Sequence, residues 1–194
     1  IPVKNPHEIR EIFDHITYNK GSAVNRMLEL YLGENVFRQG LRRYLKRFAY
    51  KNAQTLDLWK ALEEVSGQPV RAIMATYTGQ EGYPVLYAEQ RKNTLRIEQK
   101  RFLLDGSRDT KNSLWKVPVT VAVQGEKKTH KALMSGKRAD IRLPLREGGW
   151  VKLNPGQGGF YRAAYSPELQ RSLLGAMRKG DIPAVDIMGL IDDA

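Results

Sequence analysis

The spacing of apolar residues along this chain changes twice, and the two changes limit the folds that it can adopt. Up to about Gly79, apolar side chains recur three or four positions apart, which is the spacing of one face of an α-helix. From there to Ser166 they alternate with polar or basic residues, as on a strand with one buried face. After Ser166 the helical spacing returns. We therefore expect a multidomain α+β chain with parts at 1–80, 81–165 and 166–194.

The first part is predicted to be a series of short helices. Asn5–Pro6 has the residue types favoured at a helix start. Thr17 is predicted to cap a helix that runs through Tyr31 and ends at Gly33. Further helices are predicted to begin at Glu34, Thr55 and Pro69, with Met and aromatic side chains at helical spacing in the core.

The middle part is predicted to be a seven-stranded antiparallel β-sandwich, because short strands joined by tight turns are typical of that fold. The turn signals are Asp105–Gly106, Gln124–Gly125, Ser135–Gly136 and Gly148–Gly149. The predicted strands are 85–89, 94–102, 114–123, 129–133, 139–143, 150–154 and 160–165. In the third part, Ser166–Pro167 is predicted to cap a helix that breaks at Gly180–Pro183 before a last helix begins.

The composition excludes several classes of protein. The 194 residues include no cysteine, so a disulfide framework, a thiolate metal site and a thiol nucleophile are all impossible. No apolar run approaches the roughly 20 residues that are needed to span a bilayer. The absence of cysteine fits a cytoplasmic location, which we therefore expect. Targeting information would lie outside a fragment.

The net charge of +11 raises the question of nucleic-acid binding. Most of the excess lies between residues 82 and 152, which contain 16 Lys or Arg and 7 Asp or Glu. These basic residues alternate with apolar ones, as in Leu95-Arg96-Ile97, and are not interleaved with stacking aromatic residues. The pattern predicts solvated strand faces and no nucleic-acid partner.

Three further features have ordinary structural explanations. The glycine-rich segment 154–159 lacks the Lys-Ser/Thr of a phosphate loop and precedes a strand, so it is predicted to be a simple turn. The adjacent acidic pairs Glu63–Glu64 and Asp192–Asp193 point apart on a helix and are predicted to face solvent. None of the three histidines lies four residues from another, so no metal site is predicted in this chain.

Residues 16–24 read I-T-Y-N-K-G-S-A-V, and the segment from Tyr18 to Ser22 resembles the Y-x-K-G-[AS] motif of the large zinc aminopeptidases. That gluzincin family includes aminopeptidase N, the endoplasmic-reticulum aminopeptidases and the tricorn-interacting factors. The resemblance continues in the family's order over essentially the whole chain. Its further blocks are Leu58-Trp59, T-x-Q-x-G-Y-P at 78–84, W-x-V-P at 115–118, G-G-F-Y-R at 158–162 and L-I-D-D-A at 190–194.

The resemblance implies a role for the motif in peptide hydrolysis. The family's tyrosine donates a hydrogen bond to the oxyanion that forms when the peptide carbonyl is attacked, so Tyr18 is expected to stabilise the transition state. Lys20, Gly21 and Ser22 are expected to support it. Gly21 is expected to allow a close backbone contact, since glycine costs about 1 kcal/mol relative to alanine in a helix. Lys20 is expected either to reach an acidic group or to be solvated.

The resemblance also implies what the chain lacks. The family binds zinc through H-E-x-x-H and a downstream glutamate, and neither H-E-x-x-H nor the G-A-M-E-N segment for the substrate's amine is present. Because the chain also begins on Ile1, it is expected to be an inactive fragment downstream of the zinc-binding motif. Its parts would be the helical end of a thermolysin-like catalytic domain, the β-sandwich and the start of a C-terminal helical domain.

A second interpretation belongs to a different class of protein. The basic β-sandwich would be a free-standing interaction module that binds an acidic partner or nucleic acid. Genomic sequence upstream of Ile1 distinguishes the two, since only the peptidase requires H-E-x-x-H there.

Two positions depart from the family pattern: Tyr77 replaces a common tryptophan, and Ile187 replaces the arginine that usually follows Asp186. The second departure puts in doubt any ion pair that this arginine makes in the next domain.

Overall fold

The computed structural model describes residue 5, residues 16–107 and residues 109–193. Of the helix predicted to begin at Asn5–Pro6, the structure describes only Asn5, and the rest of that prediction lies outside the described residues. The helix predicted from Thr17 begins differently, because a π-helical turn, Ile16–Lys20, leads directly into helix α1, Gly21–Leu32. Gly33 then lets the chain leave α1 with a positive φ of 89°, which confirms the predicted helix end.

Three more helices follow: α2, Glu34–Arg47; α3, Thr55–Ser66; and α4, Val70–Thr78. The predicted cap of α3 was one residue off. Gln54 holds the cap position, and its backbone N–H donates to the Asp57 carboxylate at 2.8 Å. Gly67 ends α3 in the left-handed conformation. The helices α2 and α3 pack closely enough that a Cβ at Gly40 would overlap the Leu62 side chain.

Seven strands are found among the described residues from Pro84 to Tyr165, which agrees with the predicted number. They are β1, Pro84–Arg91; β2, Thr94–Arg101; β3, Val117–Val123; β4, His130–Met134; β5, Arg138–Arg142; β6, Val151–Leu153; and β7, Arg162–Tyr165. They form a four-stranded sheet in the order β5-β2-β1-β7 and a three-stranded sheet in the order β4-β3-β6.

The predicted seven-stranded antiparallel sandwich is wrong, because β7 pairs with β1 in parallel, with Val85 opposite Arg162. The other strand pairs are antiparallel. After β6 the chain turns at Pro155–Gln157, a short 3-10 helix, and crosses from the three-stranded to the four-stranded sheet. It then enters β7 in the same direction as β1. Side-chain alternation shows which residues are buried and does not show the direction of a strand.

One hydrophobic cluster runs from α1 through α3 and α4 into both sheets. Two tyrosines also join the sheets by hydrogen bonds. Tyr161, just before β7, accepts at its hydroxyl from the Thr120 N–H of β3 at 3.3 Å, and Tyr165 accepts from the Leu153 N–H of β6 at 3.0 Å. Burial raises the pKa of both phenols.

Two helices end the described chain: α5, Pro167–Lys179, and α6, Ala184–Asp192. Ser166 accepts from the Leu169 N–H at 3.4 Å, which confirms the predicted cap. A smaller cluster of Leu173, Ala176 and Ile182 packs these helices together. Val185, Met188 and Ile191 on α6 are exposed. Within the described ranges, none of the helices has the length and apolar character needed to cross a membrane.

Candidate active site

The π-helical turn Ile16–Lys20 carries the tyrosine that the motif singles out. Hydrogen bonding of the i→i+5 type is rare in proteins, and such turns occur frequently at functional sites. Tyr18 lies in the middle of the turn, and 58% of its surface is exposed. A phenol has one O–H donor, which can form a hydrogen bond with an acceptor oxygen.

Lys20 ends the turn and points into the protein. It is half-buried, and its Nζ donates to the backbone carbonyl of Gln80 at 3.4 Å. Burial lowers the pKa of this ammonium group, because removal from water disfavours the charged form. The contact that the structure shows is therefore to a main-chain carbonyl, and the predicted contact with an acidic group stays a prediction.

Gly21 and Ser22 begin helix α1. Within the described part of the chain, no heavy atom lies within 4 Å of a Cβ built on Gly21, so the close backbone contact expected there is not found among these residues. Ser22 Oγ donates to the carbonyl of Asn19 at 3.0 Å. This bond connects the first turn of α1 to the π-helical turn before it.

A zinc site is not formed by the residues that the structure describes. Across residues 16–107 and 109–193, together with residue 5, no three His, Cys, Asp or Glu side chains group closely enough to hold a metal ion. His7 and His15 lie outside the described residues. The donor set that zinc requires is three or four nitrogen, sulfur or carboxylate ligands, and the described residues do not fit it.

A second polar site lies where the segment 154–159 meets helix α6, and sequence reasoning missed it. Lys152 is 1% exposed, and its Nζ donates to the Leu153 carbonyl at 2.7 Å and lies 3.9 Å from Asp186 Oδ1. Asp186 also accepts from the Gly156 N–H at 2.8 Å. The alternation Val151-Lys152-Leu153 predicted a solvated lysine, but all three residues of β6 are buried.

The acidic pair Asp192–Asp193 lies at the end of α6. Asp193 is half-buried and accepts from the Ala163 N–H at 3.1 Å, so the predicted solvation of Asp192–Asp193 is wrong for Asp193. Asp186, Gly189 and Asp193 recur at i, i+3 and i+7, which places them on one face of the helix. That spacing was the signal in the sequence that could have revealed this contact.

The pair Glu63–Glu64 diverges as predicted, but both side chains have basic partners. Glu63 accepts two bonds from the Arg71 guanidinium, and Glu64 accepts from Arg47 at 2.8 Å. Hydrogen bonds from these guanidinium groups lower the pKa of both carboxyls.

Several basic residues of the strand region are paired with carboxylates. Arg96 contacts Asp140 at 3.0 Å and Arg138 contacts Glu98 at 3.0 Å, in each case between neighbouring strands. Arg91 contacts Glu89 at 3.1 Å. Each of these guanidinium groups has a carboxylate partner on the sheet surface. This fits the predicted solvated strand faces.

Comparison with known proteins agrees with the motif. Residues 1–77 match the family model described as the Peptidase family M1 domain. The chain is 47% identical to puromycin-sensitive aminopeptidase of Caenorhabditis elegans, 41% identical to aminopeptidase M1-A of Oryza sativa subsp. japonica and 37% identical to tricorn protease-interacting factor F2 of Thermoplasma acidophilum.

These alignments cover 100% of the chain but 21%, 22% and 23% of the three relatives, so the chain spans about a fifth of their length. The motif blocks, the family model and the relatives agree on one family. The chain belongs to the peptidase family M1.

Proposed function

We propose that this chain acts as part of a zinc-dependent aminopeptidase that removes N-terminal residues from peptides, with Tyr18 as the transition-state stabiliser. The observation that carries the proposal is the exposed phenol of Tyr18 on a π-helical turn, within the Y-N-K-G-S segment. The printed names of the relatives, several of them aminopeptidases, support the reaction class. The zinc ligands would come from sequence outside this chain.

The chemical role of Tyr18 follows from the properties of a phenol. When water attacks the peptide carbonyl, negative charge develops on the carbonyl oxygen, and a preorganised donor aimed at that oxygen lowers the barrier. A phenol hydroxyl can donate one hydrogen bond. Because this bond strengthens as the charge develops, it contributes more to the transition state than to substrate binding.

We further propose that the three parts of the chain belong to three domains of the longer enzyme. Residues 1–80 would complete the catalytic domain, 81–165 would form the β-rich domain, and 166–194 would begin a helical domain. The element order supports this division, since helices precede Thr78, strands occupy Pro84 to Tyr165, and helices follow. The exposed apolar side chains of α6 would then be covered by helices of the third domain.

The proposal is tested by Tyr18→Phe in the full-length enzyme, which removes the donor and keeps the ring. We expect kcat to fall by about 10²–10³, the usual loss for one oxyanion donor, with little change in KM. Tyr50→Phe is the matched control, because Tyr50 is fully exposed and lies between α2 and α3. A Tyr18→Phe enzyme with the kcat of the Tyr50→Phe control would show that Tyr18 is not a catalytic residue.

A further inference from the structure

The contact between Lys20 and Gln80 joins the π-helical turn to the end of another helix. Gln80 lies two residues after α4, Val70–Thr78, and its carbonyl accepts from Lys20 Nζ. At 3.4 Å this is a long hydrogen bond, above the usual range of about 2.7–3.2 Å, and its donor is a charged ammonium group.

The carbonyl that Lys20 contacts belongs to a residue with a fixed position. Gln80 Nε2 donates to the Leu114 carbonyl at 2.8 Å. The next residue, Trp115, is 1% exposed, and both its N–H and its carbonyl are bound by the buried side chain of Gln99 at 2.9 Å. The contact therefore connects the turn, through Gln80, to strand β2 and the hydrophobic core.

The geometry of the turn relates Lys20 to Tyr18. Residues two apart on a helical turn do not share a face. With Lys20 directed inward onto Gln80, Tyr18 is directed away from that surface, in agreement with its 58% exposure. Side-chain freedom in the turn also falls, because the half-buried lysine would have to leave its carbonyl partner before the turn could rotate.

We propose that Lys20 is a positioning residue, whose contact with the Gln80 carbonyl just after α4 fixes the π-helical turn and thereby the orientation of the Tyr18 phenol. The proposal rests on the proposed function for its catalytic consequence, but the orientation of the phenol is measurable without catalysis. Substituting Lys20→Met removes the charge and keeps most of the aliphatic side chain. Lys20→Arg keeps a charged donor at the same place.

The first experiment uses the 194-residue chain itself with isotope-labelled tyrosine rings. We expect Lys20→Met to shift and broaden the Tyr18 ring signals, and Lys20→Arg to restore them largely. Lys46→Met is the matched control, because Lys46 is an exposed lysine near the end of helix α2. Tyr18 ring signals that are the same in Lys20→Met and Lys46→Met would overturn the proposal, whatever the activity of the longer enzyme.

The second experiment is a double-mutant cycle in the full-length enzyme. A positioning role predicts that Lys20→Met lowers kcat about 10- to 100-fold with Tyr18 present, since misplacement of a catalytic group by about 1 Å costs up to about 10² in rate. In the Tyr18→Phe background the same substitution should have almost no further effect. Lys20→Arg should recover most of kcat.

The outcomes of the cycle separate the two proposals. An equal loss from Lys20→Met in both backgrounds would show a general structural role and would overturn the positioning role. An unchanged kcat in Lys20→Met would also overturn it. A Tyr18→Phe enzyme with normal kcat would instead refute the proposed function of Tyr18, and the ring signals of the first experiment would still decide whether Lys20 orients the phenol.

Discussion

At the scale of single residues, Lys152 and Asp186 form a buried pair that joins β6 to the first turn of α6. Desolvation lowers the pKa of Lys152, and the Asp186 and Asp193 carboxylates oppose that shift. Removing one partner of a buried pair leaves the other charge poorly compensated, which is far more costly than removing an exposed charge. The segment 154–159 also depends on Asp186, which accepts from the Gly156 N–H.

Asp186→Ala is therefore expected to lower the free energy of unfolding by about 3 kcal/mol. Asp192→Ala is the matched control on the same helix, because the Asp192 side chain is 80% exposed and lies 3.9 Å from Arg162. That control should change the free energy of unfolding by no more than about 0.5 kcal/mol. The midpoint of urea unfolding measures both, and equal midpoints for the two variants would contradict the assigned role of Asp186.

Much of the candidate site was predictable from residues close in sequence, and its contacts were not. The motif identified Tyr18 because its five residues are consecutive in the sequence. The partner of Lys20 is 60 positions away, and the partners of Lys152 and Asp186 depend on how a loop meets a helix. Local spacing carries no information about such contacts, so the sequence did not identify the Gln80 carbonyl as a partner of Lys20.

At the scale of elements, the helix and strand positions followed from periodicity, while their connections did not. Side-chain alternation locates β1 and β2, in which more buried and more exposed residues alternate, but β6 is buried throughout. Alternation does not distinguish a parallel from an antiparallel neighbour. The predicted antiparallel direction of β7 was therefore wrong. Helix ends marked by Gly33, Gly67 and Gly180 were predictable, because glycine adopts a positive φ without strain.

Helix α3 is connected to its neighbours by its two glutamates, and this makes its packing dependent on pH. The Arg47 and Arg43 guanidinium groups contact Glu64 from α2, and hydrogen bonding to Arg47 lowers the pKa of Glu64 below its usual 4.5. A carboxyl with a lowered folded-state pKa stabilises the fold above its unfolded pKa, and that contribution disappears as the pH falls through the lowered value.

We therefore expect the stability of the chain to decrease as the pH falls below about 4.5, with a smaller decrease in Glu64→Gln. The urea midpoint, followed by helical circular dichroism from neutral to acidic pH, measures the difference. Glu126→Gln, at an exposed turn, is the control and should retain the acid-dependent loss of the unchanged chain. Identical pH profiles for Glu64→Gln and the unchanged chain would exclude a contribution from this carboxylate.

At the scale of the whole molecule, the chain supplies a candidate transition-state donor but no described zinc site. Peptide hydrolysis by this family's chemistry needs the donor set of H-E-x-x-H with a further glutamate, and the sequence has no H-E-x-x-H. The proposal for Tyr18 therefore applies to a longer protein in which these groups are joined.

We expect the purified 194-residue chain to show no hydrolysis of aminoacyl substrates, with or without added zinc. The measurement is release of a chromophoric amine, with Tyr18→Phe prepared in parallel to detect a contaminating peptidase, since a contaminant would be equally active in both samples. Zinc-dependent turnover that is present in the unchanged chain and absent from Tyr18→Phe would contradict the expectation. It would mean that this chain assembles a hydrolytic site of its own.

The two tyrosine hydroxyls that join the sheets determine how the molecule responds to alkali. A phenol whose pKa is raised by burial keeps its proton in the folded state at a pH where the unfolded chain has lost it, so stability falls as the pH rises above about 10. Ionisation of Tyr161 or Tyr165 would also place a phenolate among buried side chains. Ultraviolet titration should therefore show exposed tyrosines ionising gradually, and these two, together with the buried Tyr77, ionising abruptly as the fold opens.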